Sequence, residues 1–278
     1  MSANWRESVN QSVGTVRIGD INSYAVPTSS PVRAPIDIFY AATQDILKVA
    51  NPKFLSDHPA MGPLLLVGLV SATENYFRDL FARIIQICPI SQKSCAEKSI
   101  NLGSVVWHRG IDFERGAFEH LSLASKESVV KTCRGFLDYE PVKTGAVAAM
   151  LDEFDEVCEL RHGIVHSGSM MAGKNALKLQ IGITGVIKIE VDFNRLQECG
   201  AICTTLVASF NTELFEVMAK RWAVDWRRRG SWWNPAKEHS LFKTVWQTFY
   251  SVTDSNNRTI TNELSMRKCK NRIIKEFT

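Results

Sequence analysis

The chain has the length and composition of a folded globular protein, and these properties exclude several classes. Its 278 residues can form one large domain or a domain with an appendage, and 45% hydrophobic with 22% charged residues is not a disordered composition. The longest apolar run, at 63–72, is too short to span a bilayer, so no membrane partner is expected. Seven cysteines without a CxxC pair, and no signal-peptide pattern, predict a cytoplasmic protein with reduced thiols.

Charge is distributed unevenly along the chain. The formal net charge is +4, but residues 220–278 carry 13 lysines and arginines against 5 acidic residues. Five of the seven tryptophans also lie in this last stretch. We therefore predict three parts: an N-terminal extension at 1–35, a helical domain at 36–219 and a basic, tryptophan-rich C-terminal extension at 220–278.

The spacing of apolar residues predicts a mainly helical domain. Helices are expected over residues 36–50, 63–87, 126–138, 144–168 and 194–222. Over 177–193 the apolar period changes to two, with Gly185 between the halves, which predicts a small β-hairpin. The expected fold class is therefore all-α, a helical bundle with one small hairpin.

The stretch ELRHGIVHSG, residues 159–168, places three basic side chains at the end of the predicted 144–168 helix. Arg161 continues the apolar stripe of that helix, where an arginine is unfavourable unless it is paired or lines a cleft. His162 and His166 are four residues apart and therefore neighbours on the helix. The helix dipole favours a protonated imidazole at position 166, which can act as a general acid.

Arg161 and His166 are five residues apart, about 140° around an ideal helix. The two side chains can converge on one substrate if the last turn deforms or if a second chain contributes. Gly163 weakens the helix between them and would assist such a deformation.

Three interpretations of this cluster are open. In a purely structural one, the histidines cap the helix and Arg161 pairs with an acid such as Glu74 or Asp155. In a metal site, the HxxxH spacing supplies two ligands, although Gly163 stands where HExxH hydrolases have glutamate and no third ligand is near in sequence. In phosphodiester chemistry, Arg161 binds the phosphate and His166 transfers protons.

The pattern of Arg161, four residues and His166 resembles the Arg-polar-x3-His signature of the HEPN superfamily, with His162 at the polar position. The upstream segment 66–84 is similar to the early HEPN helix that carries an acid followed by an aromatic residue. The corresponding residues here are Glu74 and Tyr76. The resemblance covers the helical order over about residues 36–218.

The resemblance implies a compact helical bundle and a metal-independent endoribonuclease that uses no cofactor. It implies a homodimer in which the two Arg/His motifs face each other. RNA would be cut by attack of the 2′-hydroxyl, leaving 2′,3′-cyclic phosphate and 5′-hydroxyl ends, and DNA would not be cut. Such proteins are often bacterial toxins or antiviral effectors, so an inhibitor or sensor protein is a further expected partner.

The resemblance also assigns roles to residues. Arg161 and His166 are the expected catalytic residues, and His162 either assists them or is only a neighbour. Glu74 is the best candidate for a supporting acid, while a pair with Arg78 at i,i+4 is an equally open alternative. The other function that remains open is a catalytically silent HEPN module that binds a nucleotide or a partner protein.

Arginines and tryptophans alternate in the C-terminal stretch 221–237. Such a pattern can bind single-stranded RNA through phosphate contacts and base stacking. We predict that Trp222 and Trp226 are a packing pair that anchors the extension on the bundle. Arg227, Arg228 and Arg229 are the expected RNA-binding residues.

Overall fold

Helices account for most of the chain, as the apolar spacing predicts. The computed structural model describes residues 14–28, 32–108, 113–227 and 234–277. The helices are α1 Pro35–Val49, α2 Pro52–Asp57, α3 Met61–Ile87, α4 Pro89–Cys95, α5 Leu102–His108, α6 Phe113–Gly116, α7 Lys126–Leu137, α8 Ala146–His166, α9 Gly173–Lys178, α10 Phe193–Lys220, α11 Glu238–Phe249, α12 Val252–Asn256 and α13 Met266–Phe277. The described ranges contain no β-strand, so the fold is an all-α helical bundle.

Capping residues and prolines in the sequence set where many of these helices begin. Helices α1, α2 and α4 each start with a proline, whose missing N–H would have no partner in a first turn. The side chains of Asn51, Ser125 and Asp192 accept a hydrogen bond from the backbone N–H three residues further on. These starts are therefore determined locally.

The core of the bundle is formed by α3 with α1, α8 and α10 packed around it. Phe77 of α3 lies at its centre and contacts Phe154 of α8 and Phe210 of α10, with ring centroids 6.3 and 5.1 Å apart. All three rings are fully buried. Burial of each large apolar side chain contributes about 1.5–3 kcal/mol, so this cluster fixes how α8 lies against the other two helices.

The predicted hairpin at 177–193 is wrong. Residues 173–178 form α9, and the extended residues 187–189 pair with 169–171 instead, through a single bridge between Met170 and Lys188. Backbone hydrogen bonds of 2.8 Å (Met171 N–H to Ile187) and 2.7 Å (Ile189 N–H to Ser169) hold this pairing. Tertiary contacts override the period-two pattern, because Lys178 and Asn175 bind carboxylates and a carbonyl of α8.

The C-terminal extension belongs to the same compact unit as the bundle. Residues 33–278 form one unit, and residues 1–32 form another, in which Ile21–Tyr24 make a 3-10 turn. Helix α10 continues into a π-helical turn at Arg221–Trp226, which buries both predicted anchors, Trp222 and Trp226. The ring of Trp222 lies 4.7 Å from that of Phe242 on α11. The predicted packing role of the two tryptophans is thus confirmed.

A buried carboxylate on α1 binds the first residues of helix α12. Asp37 accepts hydrogen bonds from the Ser251 hydroxyl (2.7 Å) and from the backbone N–H groups of Val252 and Thr253 (3.0 and 3.1 Å). These N–H groups open helix α12, where a negative charge is also favoured by the helix dipole. Asp37 therefore caps a helix that is more than 200 residues away in the chain.

The substitution Asp37→Asn is expected to lower the free energy of unfolding by about 2 kcal/mol, because an amide NH₂ would face N–H and O–H donors. Urea denaturation followed by circular dichroism measures the change. Asp45→Asn, on the exposed side of the same helix, is the matched control and is expected to stay within about 0.5 kcal/mol of the wild type. Equal stability of the two variants would contradict the capping role.

The sequence predicts reduced thiols and no membrane-spanning segment. All seven cysteines are free thiols, and burial raises the pKa of Cys199 to about 11 and that of Cys203 to about 12. These two thiols therefore stay protonated and unreactive at neutral pH. In the described ranges, no helix is both long enough and apolar enough to cross a membrane.

Candidate functional site

The three basic residues of the motif occupy the last two turns of α8. The helix continues without a break to His166, and Ser167 closes it with a backbone hydrogen bond to Gly163 of 3.1 Å. A deformed last turn, one of the two ways in which Arg161 and His166 could converge, is therefore not seen. Arg161 and His166 keep the helical separation of about 140°, so one chain does not turn both side chains to the same point.

Gly163 allows another segment of the chain to pack closely on α8, and it does not bend the helix. A Cβ atom at this position would lie 2.5 Å from Cδ1 of Ile189 and 3.2 Å from the carbonyl oxygen of Met170. The missing side chain lets the paired segments 169–171 and 187–189 lie directly on α8. The period-two alternation of Ile187, Ile189 and Val191 is the sequence signal for this covering segment, which takes the place of the predicted hairpin.

His162 and His166 form an exposed pair of imidazoles. Their ring centroids are 4.6 Å apart and their planes are inclined by 47°. Both side chains are exposed to solvent, and neither is hydrogen-bonded to another residue in the part of the chain that the structure describes. The interpretation in which the histidines cap the helix is therefore not supported, and both rings remain accessible to a ligand.

Arg161 is half-buried beside this pair, and it does not bind either of the acids considered for it. Asp155 instead contacts Lys178 at 2.9 Å and accepts a hydrogen bond from the N–H of Lys126 at 3.0 Å. Among the described residues, no carboxylate or carbonyl oxygen is within bonding distance of the Arg161 guanidinium. A half-buried guanidinium without an anion is suited to receiving one from outside the chain.

Glu74 has a structural role in place of the expected supporting one. Its buried carboxylate accepts hydrogen bonds from the N–H of Leu123 (2.8 Å) and from Arg78 (3.1 Å). Arg78 in turn donates to the carbonyl oxygens of Phe118 and Leu121. The pair thus fixes the segment 118–123 on α3, and the i,i+4 alternative is the one the structure shows. The correction has a simple cause, because two donors, the N–H of Leu123 and the guanidinium of Arg78, already bind the Glu74 carboxylate, and Arg161 lies on another helix.

The other upstream residue of the resemblance, Tyr76, is buried in the core. Its hydroxyl donates a hydrogen bond to the carbonyl oxygen of Val207 on α10 at 3.3 Å, and it contacts neither histidine of the motif. Tyr76 therefore helps to pack α3 against α10. Its contribution to the site is indirect, through the position of the bundle helices.

A thiol lies near the motif, but it is not a nucleophile. Burial raises the pKa of the Cys158 thiol far above its usual range, and the nearby carboxylates of Asp155 and Glu74 add to this effect. The guanidinium of Arg161 acts in the opposite direction without reversing it. The Cys158 thiol therefore adds no nucleophile to the two imidazoles and the guanidinium at this helix end.

The described residues do not bring together a metal-ligand cluster. No group of three or more histidine, cysteine, aspartate or glutamate side chains in these ranges has the arrangement to hold a metal ion. His162 and His166 thus form a pair to which the rest of the described chain adds no third ligand.

Of the three predicted RNA-binding arginines, one lies in the part of the chain that the structure describes. Arg227 forms an ion pair with Glu238 at 3.7 Å and is only partly exposed, so it is already engaged within the chain. Arg228 and Arg229, the other two predicted RNA-binding residues, lie outside the described residues. The predicted patch is therefore not brought together with Arg161 and His166 in what the structure describes.

No model of a protein family, no curated protein and no solved structure matches the chain at a significant level. The resemblance to the HEPN superfamily therefore rests on the residues themselves. Its sharpest part is the pattern of Arg161 and His166 at the end of a bundle helix.

Proposed function

We propose that this protein is a metal-independent endoribonuclease of the HEPN type that acts on RNA as a homodimer. The observation that carries the proposal is the end of α8, where two accessible imidazoles lie beside a half-buried guanidinium without an anion of its own. An RNA phosphodiester supplies the missing anion. Imidazoles are the side chains that transfer protons most readily at neutral pH.

The proposed reaction has two proton transfers and one displacement. His166 of one chain takes the proton from the ribose 2′-hydroxyl, and the 2′ oxygen attacks phosphorus to form the cyclic ester. The bond between phosphorus and the 5′ oxygen breaks, and His166 of a second chain donates a proton to that oxygen. Arg161 holds the non-bridging oxygens, whose negative charge grows in the transition state.

The second chain is part of the proposal because of the helix geometry. On the unbroken α8, Arg161 and His166 face directions that differ by about 140°, so a composite site needs another helix end. Exposed apolar side chains lie within the motif and after it in sequence. They are Val165, Leu177, Ile183 and Val186. Such residues favour a surface that becomes covered in an assembly.

The proposal is tested with the wild-type protein, single-stranded RNA and an excess of EDTA. We expect cleavage products with 2′,3′-cyclic phosphate and 5′-hydroxyl ends, detected by mass spectrometry and by resistance of the new 5′ ends to ligation without prior phosphorylation. A DNA strand of the same sequence is the control and should stay intact, since it lacks the nucleophile.

Cleavage that requires added zinc or magnesium, or that proceeds equally on DNA, would contradict the mechanism. Complete absence of cleavage would instead favour the catalytically silent module. With activity present, we propose a cytoplasmic toxin or antiviral effector, whose overproduction arrests growth unless an inhibitor or sensor protein controls it.

A further inference from the structure

Helix α13, Met266–Phe277, has two faces of opposite character. Its apolar side is occupied within the chain: Ile273 is buried, and the neighbouring apolar residues pack against the core. These partly buried neighbours are Met266, Cys269, Ile274 and Phe277. The helix lies against the π-helical turn Arg221–Trp226, α10 and α11. Its apolar face is therefore not available to a lipid bilayer or to another protein.

The opposite side of α13 carries a row of cations, which we call the α13 cationic face. It consists of Arg267, Lys268, Arg272 and Lys275, all of them exposed. On an ideal helix these positions fall within an arc of about 140° and extend about 12 Å along the axis. Asn271, also exposed, lies within the same arc.

These cations have no acidic partner among the residues that the structure describes. The nearby carboxylate of Glu238 is already shared between Lys270 (3.2 Å) and Arg227 (3.7 Å), at the inner edge of α13. Glu276 is the acidic residue of α13 itself and lies at the margin of the arc. Like charges three and four residues apart repel each other, so the row is unfavourable for the isolated helix. A polyanion laid along the face would relieve that repulsion.

The α13 cationic face lies far from the Arg/His motif at the end of α8. Residues 189–191 contact α8 and α3 just before α10 begins at Phe193. From there α10 runs for 28 residues, about 42 Å, before it reaches the π-helical turn on which α13 packs. The cationic face therefore belongs to the end of α10 that is remote from Arg161 and His166.

We propose that the α13 cationic face binds the phosphate backbone of an RNA strand. It anchors the nucleic acid at a distance from the bond that is cut. Four cations over about 12 Å match the charge density of a nucleic acid strand, which carries one phosphate every 3–4 Å or so when helical. The inference rests on the proposed function for the identity of the ligand, and it assigns residues outside the Arg/His motif.

Binding of RNA to a variant that cannot cut is the measurement. His166→Ala keeps the RNA intact, and a fluorescein-labelled oligouridylate of about 30 nucleotides is titrated by anisotropy at several salt concentrations. The test variant adds Arg267→Gln, Lys268→Gln, Arg272→Gln and Lys275→Gln. The matched control adds Lys53→Gln, Lys93→Gln, Lys131→Gln and Lys143→Gln, which remove the same charge from exposed positions elsewhere. Circular dichroism verifies that both are folded.

We expect the α13 variant to bind RNA at least about tenfold more weakly near 0.1 M salt. The slope of log K against log salt concentration should be smaller in magnitude by about 2–3. The control should stay within about twofold of its parent, because its four charges are scattered. An unchanged affinity and slope in the α13 variant, or an equal loss in the control, would overturn the proposal. The proposal would also be overturned if the α13 variant lost binding to phosphatidylserine vesicles while its binding to RNA stayed intact.

The same proteins with His166 restored separate this proposal from the nuclease. RNA that is bound through α13 but never cut by the wild type would refute the nuclease and leave the anchor standing. RNA that is bound and cut normally by the α13 variant would refute the anchor and leave the nuclease standing.

Discussion

Replacing His166 by alanine is expected to lower the rate of RNA cleavage by about 10²- to 10⁴-fold, the usual contribution of a positioned acid or base. The loss should be large because both proposed proton transfers use this residue, one from each chain. Arg161→Ala is expected to lower the rate by about 10²- to 10³-fold, since it removes the charge that stabilises the transition state. Initial rates on a labelled RNA in EDTA give both values.

His120→Ala is the matched control for this pair of variants. His120 is an exposed histidine outside the motif, and its removal should leave the cleavage rate within about twofold of the wild type. The thermal midpoints of the His120 and His166 variants should also stay within a few degrees of the wild type, because both side chains are exposed. Wild-type rates in Arg161→Ala and His166→Ala would refute the mechanism.

His162→Ala resolves a role that sequence and geometry leave open. The ring of His162 lies 4.6 Å from that of His166, which is compatible with a participant and with a mere neighbour. A loss comparable to that of His166→Ala identifies a catalytic residue. A loss below about tenfold identifies a neighbour that tunes its surroundings.

Gly62→Ala is expected to cause the largest loss of stability among single substitutions considered for the fold, about 3 kcal/mol or more. A Cβ atom at Gly62 would overlap the carbonyl oxygen of Val191, and the Cβ of that residue is also within contact distance. Backbone atoms cannot move aside as a side chain can. The start of α3 and the segment before α10 would have to separate, which exposes the buried Val191.

Gly68→Ala is the matched control, because it makes the same change six residues further along the same helix. There a Cβ atom would meet only the end of the flexible Ile46 side chain, at 3.1 Å. The gain of alanine over glycine in a helix, up to about 1 kcal/mol, should offset that contact. Urea denaturation measures both variants, and a Gly62→Ala protein as stable as Gly68→Ala would contradict the proposed close approach.

Local features of the sequence predicted most of the helices. The regular apolar spacing of α3, α8 and α10 and the prolines at helix starts are properties of short stretches, so they could be identified without a structure. The hairpin could not be identified correctly, since an alternating stretch pairs with whatever chain lies beside it. Residues 187–189 pair with residues 169–171, and only the first two residues of the stretch, 177 and 178, belong to α9, where Lys178 forms ion pairs with α8.

The same distinction between local spacing and tertiary contacts applies to the candidate site. The sequence by itself determined that Arg161, His162 and His166 lie at one helix end, because a spacing of four or five fixes relative positions on a helix. Only the tertiary structure decided that Glu74 binds Arg78 and Leu123, that Gly163 admits Ile189 and that α13 turns its cations outward. Those facts depend on contacts between residues far apart in the chain, whose partners are chosen by packing of the whole bundle and not by local spacing.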